Sequence, residues 1–142
     1  MTLYRKFVFT ILSLFLCAAS LAGCDKTKDA PGGGEARKAV YTKISPKQAK
    51  DMMDKGGQYI ILDVRTQEEF REQRINGAQL IPVNEISSRA AKELPDKDAV
   101  IFVYCRSGSR SSSAAHQLVS MGYTNVYDIG GIMSWPYETV NG

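Results

Sequence analysis

One cysteine, Cys105, follows the apolar run AVIFVY (residues 99–104) and opens the loop Cys105-Arg106-Ser107-Gly108-Ser109-Arg110-Ser111. Thiols react as thiolates, so the chemistry open to Cys105 depends on what lowers its pKa. Gly108 lets the loop curl until successive backbone N–H groups converge on one point, forming an anion nest. The segment SSSAAHQLVSMG reads as a helix over 111–121, and its first turn adds partial positive charge. Arg106 and Arg110 add full charges. Together these features are expected to hold a thiolate at neutral pH without a histidine base, and to draw a small oxyanion to the same spot. The plainer alternative makes Cys105 a small core residue at a strand end. A glycine, two arginines and a helix start crowded behind it favour the reactive thiol.

The surrounding elements must place that loop. Near residue 41, VYT reads as a short strand. Ser45-Pro46-Lys47-Gln48 then supplies an N-cap, a proline at the first helical position and a reciprocal capping residue, for a helix ending at Gly56-Gly57. YIILDV (59–64) is a near-continuous apolar strand, as expected of one covered on both faces. Thr66 and Glu69 make a second capping box, opening a short helix through Arg71. The strand QLIPV, a helix through SRAAKEL and a turn at Pro95-Asp96-Lys97-Asp98 lead to the strand at 99–104. After the 111–121 helix, closed by Gly122, come the strand VYDI and a closing turn and short helix in GGIMSWPYETV. Strands joined by helical crossovers predict an α/β fold: an open, mostly parallel sheet with helices on both faces. Ligands of such sheets bind beyond the carboxyl ends of the strands, which is where Cys105 lies.

The N-terminus has a separate purpose. Arg5 and Lys6 precede the apolar FVFTILSLFLCAA (7–19), which is short for a membrane span, and LAGC follows at 21–24. LAGC resembles the lipobox of bacterial lipoproteins, whose cysteine is diacylated and becomes the first residue after cleavage. This divides the chain into a lipoprotein signal peptide (1–23), a lipidated Cys24 with a polar, glycine-rich tether (24–38), and one domain (39–142). The alternatives are an uncleaved anchor helix and a simply secreted, soluble product. The expected location is extracytoplasmic, on a bacterial membrane, and periplasmic in a Gram-negative cell. Asp25 resembles an inner-membrane retention signal of some enteric bacteria.

With Cys17 lost and Cys24 acylated, Cys105 has no partner for an internal disulfide. The 18 basic and 15 acidic residues give a net charge of +3, and removal of Arg5 and Lys6 leaves +1. No basic stripe with interleaved aromatics points to nucleic acid. One histidine and one free cysteine are too few ligands for a metal site. Monomer is the expected state.

The loop from Cys105 to Ser111 resembles the active loop of rhodanese-homology domains, the single-domain sulfurtransferases. DVRTQEEF (63–70), INGAQLIP (75–82) and GG-I-x-x-W (130–135) resemble further segments of that family, in order, so the resemblance spans residues 39–140. It implies a rhodanese-like fold and Cys105 as a persulfide-forming nucleophile. Arg106, Ser107, Gly108, Ser109, Arg110 and Ser111 would form the substrate-binding nest, with no cofactor and no metal. The implied donor is a small sulfur-containing anion such as thiosulfate, and the acceptor is cyanide, a thiol or a thiol-carrying protein. The C-x4-R spacing resembles the sulfurtransferase loop, whereas phosphatase- and arsenate-reductase-type relatives carry one residue more. A relay module exchanging sulfur with a protein partner stays open as an alternative.

The family's Gly-His before the INGA-like segment is Gln73-Arg74 here, which is expected to place an extra cation near the rim. Asp63 and Arg65 are read as structural, Arg65 pairing with Glu69 and Asp63 bracing neighbouring loops. One loop arginine is left either to steer the donor or to pin the loop. His116 lies more than one helical turn past the thiol, so a surface or packing role is expected. Trp135 is expected to pack under the closing segment with its edge near the pocket mouth.

Overall fold

The computed structural model describes residues 40–142, so the segments read from sequence as a signal peptide and a tether, with Cys24, lie outside the described residues. In chain order the elements are β1 (Thr42–Lys43), α1 (Pro46–Asp54), β2 (Tyr59–Asp63), α2 (Gln67–Glu72), β3 (Arg74–Ile75), β4 (Gln79–Leu80), α3 (Ile86–Glu93), β5 (Val100–Cys105), α4 (Ser109–Ser120), β6 (Asn125–Gly131) and β7 (Thr139–Val140). Both capping boxes form. The Ser45 hydroxyl accepts from the Gln48 N–H at 3.2 Å while Gln48 Oε1 accepts from the Ser45 N–H at 2.9 Å. Thr66 and Glu69 make the same exchange at 3.3 and 3.1 Å. Each cap of this kind is worth about 1 kcal/mol.

Five strands form one sheet in the order β1-β6-β5-β2-β4, with every pairing parallel. Side chains alternate across β5. Ile101, Val103 and Cys105 face a core closed by Ala90 of α3, Leu94 at its C-cap, and Ala114 and Leu118 of α4. Phe102 and Tyr104 face the other core, closed by Ala49 and Met53 of α1. The period of two therefore aims the Cys105 side chain at the face that α4 covers. Two covered faces explain why YIILD and VIFVYC are apolar almost throughout.

Three details differ from the sequence reading. The loop helix begins at Ser109, two residues before 111, because Gly108 at φ 106° reverses the chain at once and serves as its N-cap. QLIPV contributes only a two-residue ladder, although the Ile81 and Val83 N–H groups still bond the Asp63 and Val64 carbonyls at 3.0 and 3.1 Å. Pro82 between them has no N–H to give. The closing segment holds a single 3-10 turn (Ile132–Ser134) and then β7, which pairs antiparallel with β3 in a separate two-stranded sheet. Among the described residues no helix is long and apolar enough to cross a membrane.

Candidate active site

Cys105 is the last residue of β5, and the register between β5 and β6 shifts between Val103 and Cys105. That irregularity splays the strand ends and makes room for the loop. The loop then turns back over its own first residue: the Gly108 N–H donates to Cys105 Sγ at 3.0 Å. Cys105 is 1% exposed, so the thiol forms the floor of the nest rather than its rim.

Burial pushes the Cys105 thiol up, but hydrogen bonds from Ser111, Gly108 and Ser107 outweigh it and hold the thiol below its ordinary value. The Ser111 hydroxyl has one proton to give. Its shortest contact is Asp128 Oδ1 at 2.6 Å, against 3.0 Å to the Gly108 carbonyl and 3.2 Å to that of Gly130. The hydroxyl is therefore spent on the carboxylate, and the backbone amides remain to stabilise the thiolate. A buried thiol with converging amides is neither an inert core residue nor a surface thiol.

The two loop arginines differ. Arg110 forms a two-pronged ion pair with Glu69, Nη1 to Oε2 at 2.7 Å and Nη2 to Oε1 at 2.8 Å. Its charge is matched, so it pins the loop to α2 more than it attracts a donor. Arg106 is exposed and has no carboxylate partner among the described residues. It borders a cleft of about 470 Å³ whose walls include Arg65, Glu69, Gln73 and Met133. That volume lies within the range of small-molecule sites.

The other face of the loop rests on the end of β6. The Met133 N–H donates to the Arg106 carbonyl at 3.3 Å. A Cβ on Gly131 would lie 2.3 Å from that same carbonyl oxygen and 2.6 Å from Ser107 Cα. Only glycine admits so close an approach of two backbones.

A family model described as the rhodanese-like domain matches residues 45–137. The chain belongs to the rhodanese-like family. Thiosulfate sulfurtransferase PspE of Escherichia coli (strain K12) is 37% identical over 81 residues, covering 57% of this chain and 78% of that protein. Thiosulfate sulfurtransferase GlpE of Pseudomonas fluorescens is 35% identical over 109 residues, covering 72% and 94%. A solved structure described as rhodanese with anions from E. coli superposes with a TM-score of 0.57 at 35% identity, covering 60% of this chain and 100% of that one. With such relatives, the chain is a rhodanese-like sulfurtransferase.

Of the nest predicted for this rhodanese-like domain, Ser107, Gly108 and Ser111 meet the thiol through their backbones, while the Ser107 and Ser109 side chains face solvent. Several expectations need correcting. Arg65 does not pair with Glu69. It is buried and grips Asp63, with Nη2 2.6 Å from Oδ2, and donates to the Gln73 carbonyl at 2.5 Å. Side chains two apart on a strand end point the same way, so Asp63 is the nearer carboxylate. Arg74 does not line the cleft beside Arg106; its guanidinium lies over the Phe70 ring at 4.9 Å. Trp135 packs edge-on to Tyr137 at 5.1 Å and lines a separate groove with Lys50 and Ile75, away from Arg106. His116 has the surface packing role expected of it: it is exposed and packs edge-on against Tyr41 at 4.7 Å. Asp128 is fully buried beside the loop, and a lone acidic residue in the VYDI strand carries no sequence signal of that contact.

Proposed function

We propose that the protein moves sulfane sulfur from an anionic donor such as thiosulfate to a thiol or cyanide acceptor through a persulfide on Cys105, working from a lipid-anchored, extracytoplasmic position. The observation that carries this reading is the 3.0 Å hydrogen bond from the Gly108 N–H to Cys105 Sγ, made inside a loop whose amides converge on one sulfur atom.

The chemistry follows from that geometry. Arg106, the loop cation free of a carboxylate, draws the donor dianion to the mouth. The Cys105 thiolate attacks the outer sulfur of thiosulfate, the sulfur–sulfur bond breaks, and sulfite leaves with the bonding pair. Cys105 then carries Cys–S–S⁻, whose charge is taken up by the fixed N–H groups, as an oxyanion hole takes up negative charge. An acceptor thiolate or cyanide attacks the terminal sulfur and returns Cys105 as thiolate. No redox partner is consumed, because the donor supplies sulfur at the oxidation level that is passed on. A ring this tight suits one sulfur atom, whereas a phosphoryl group needs a wider one.

The test is peptide-resolved mass spectrometry of the full chain after exposure to thiosulfate, with Cys105→Ser as control. A gain of one sulfur on the Cys105 peptide, removed by cyanide and absent from the control, is expected. No gain while Cys105 is alkylated quickly at neutral pH would remove thiosulfate as donor and favour a protein donor.

A further inference from the structure

Asp128, near the end of β6, is a carboxylate that the sulfur-transfer steps do not use. It is 0% exposed. Its Oδ1 accepts from the Ser111 hydroxyl at 2.6 Å and from the Gly130 N–H at 3.0 Å. Its Oδ2 is buried with no hydrogen-bond partner among the described residues. A buried, half-satisfied carboxylate is costly, since each unmade hydrogen bond of a charged group forfeits desolvation energy. A group kept at such a cost calls for a reason, and its two partners supply one. Ser111 belongs to the first turn of α4 and gives its N–H to the thiol. Gly130 precedes Gly131, on which the Arg106 and Ser107 backbone rests. One oxygen atom therefore joins the front of the nest to its back wall.

We infer that Asp128 is a positioning residue for the thiol nest: its Oδ1 clamps the first turn of α4 to the end of β6 and so sets where the Ser111 N–H points. The inference rests on Cys105 being the reactive thiolate. Direct charge acts in the opposite sense, because a nearby carboxylate disfavours a thiolate. Loss of the clamp and loss of the charge thus move the thiol in opposite directions. The charged groups on the elements packed around the thiol are Arg106 and Arg110 of the loop and first turn, the Asp63–Arg65 pair at the end of β2, Glu69 of α2, and Asp128 itself. Of these charged side chains, Asp128 is the one that accepts from the Ser111 hydroxyl.

The experiment follows alkylation of the Cys105 peptide by iodoacetamide against pH, by mass spectrometry, in the full chain and in Asp128→Asn, Asp128→Ala and Ser111→Ala. Asp128→Asn keeps an acceptor oxygen and removes the charge, so its midpoint is expected at or below the wild-type value. Asp128→Ala removes the clamp, and its midpoint is expected about one unit higher, with roughly tenfold slower alkylation at neutral pH. Ser111→Ala keeps the N–H but frees it from the clamp, and is expected to move the same way. Wild-type midpoints in both alanine variants overturn the proposal, as does an Asn midpoint raised as far as that of Ala. If Asp128→Ala does not fold, Ser111→Ala decides alone. A wild-type midpoint at the ordinary thiol value would instead sink the reactive-thiolate reading, whatever the variants do.

Discussion

The Arg110 guanidinium holds the Glu69 carboxylate by both oxygens, at 2.7 and 2.8 Å, across 41 residues of sequence. The same carboxylate accepts from the Thr66 N–H at 3.1 Å and so caps α2. One side chain thus caps the start of α2 and fastens the first turn of α4, the turn that presents amides to Cys105. The stability of α2 and the shape of the thiol nest are coupled through it.

That coupling has a pH signature. The Arg110 hydrogen bonds, ahead of a smaller opposing effect of burial, hold the Glu69 carboxyl at about 2. The folded-state value lies below the unfolded one, so the stabilisation is complete above the usual carboxylate value and is lost as pH falls towards about 2. Both side chains are partly exposed, which limits the pair to about 1–2 kcal/mol. Glu69→Gln is expected to lower Tm by several degrees at pH 7, a gap that closes by pH 2. Thermal melts of both proteins across that range measure it, and a gap independent of pH would show that the ion pair is not its source.

Arg106 has no such partner among the described residues, and its substitution has a different expected signature. Arg106→Gln should raise KM for thiosulfate roughly tenfold at low ionic strength with kcat nearly unchanged, since steering acts on capture of the donor. The difference should shrink as salt screens the exposed charge. Arg110→Gln should instead lower kcat and Tm together, because it releases the loop. Steady-state kinetics at two salt concentrations, with melts alongside, separate the two roles. Equal KM effects for both arginines would contradict the division drawn between them.

What could be foreseen from sequence is what local chemistry encodes. Ser45 with Gln48, and Thr66 with Glu69, lie three residues apart, and both boxes form. The run ending at Cys105 announces a strand buried on both faces, and Gly108 announces a reversal. A helix-spacing rule brings Arg65 within reach of Glu69 on paper, whereas the strand geometry turns Arg65 towards Asp63. Arg110 reaches Glu69 only after α2 and the loop are packed side by side. The β3–β7 ladder spans two residues on each side, too short for any alternation to register. That the Ser111 hydroxyl would turn to Asp128 is a tertiary fact as well, since the two residues meet only when α4 lies on β6.

Two glycines separate backbone strain from steric fit. Gly131 has φ −117°, an ordinary extended backbone, but its missing Cβ leaves room for the Arg106 carbonyl and Ser107 Cα. Gly122 has φ 92° and open space around it, at the far end of α4. Gly122→Ala is expected to cost about 1–2 kcal/mol of stability through left-handed strain, with turnover kept. Gly131→Ala must displace the loop, and a misplacement of about 1 Å is enough to cost roughly a hundredfold in rate. Thiosulfate turnover and urea melts of the two variants test this. A Gly131→Ala protein as active as wild type would mean that the loop tolerates a shift away from β6.

Cys24 lies outside the described residues. If LAGC is processed as a lipobox, Cys24 carries the anchor, and several acyl chains together give stable attachment where one gives only reversible binding. Cells fed a palmitate analogue should label the wild-type chain and bring it down with the membranes. Cys24→Ser should remain unlabelled and keep Arg5 and Lys6, and with them the larger mass of the unprocessed chain. Cys105→Ser should label as well as wild type, because the thiol of the nest has no part in anchoring. A Cys24→Ser chain that is still cleaved and released without label would favour simple secretion. Labelling of Cys24→Ser itself would place the acyl group elsewhere and remove the lipobox reading.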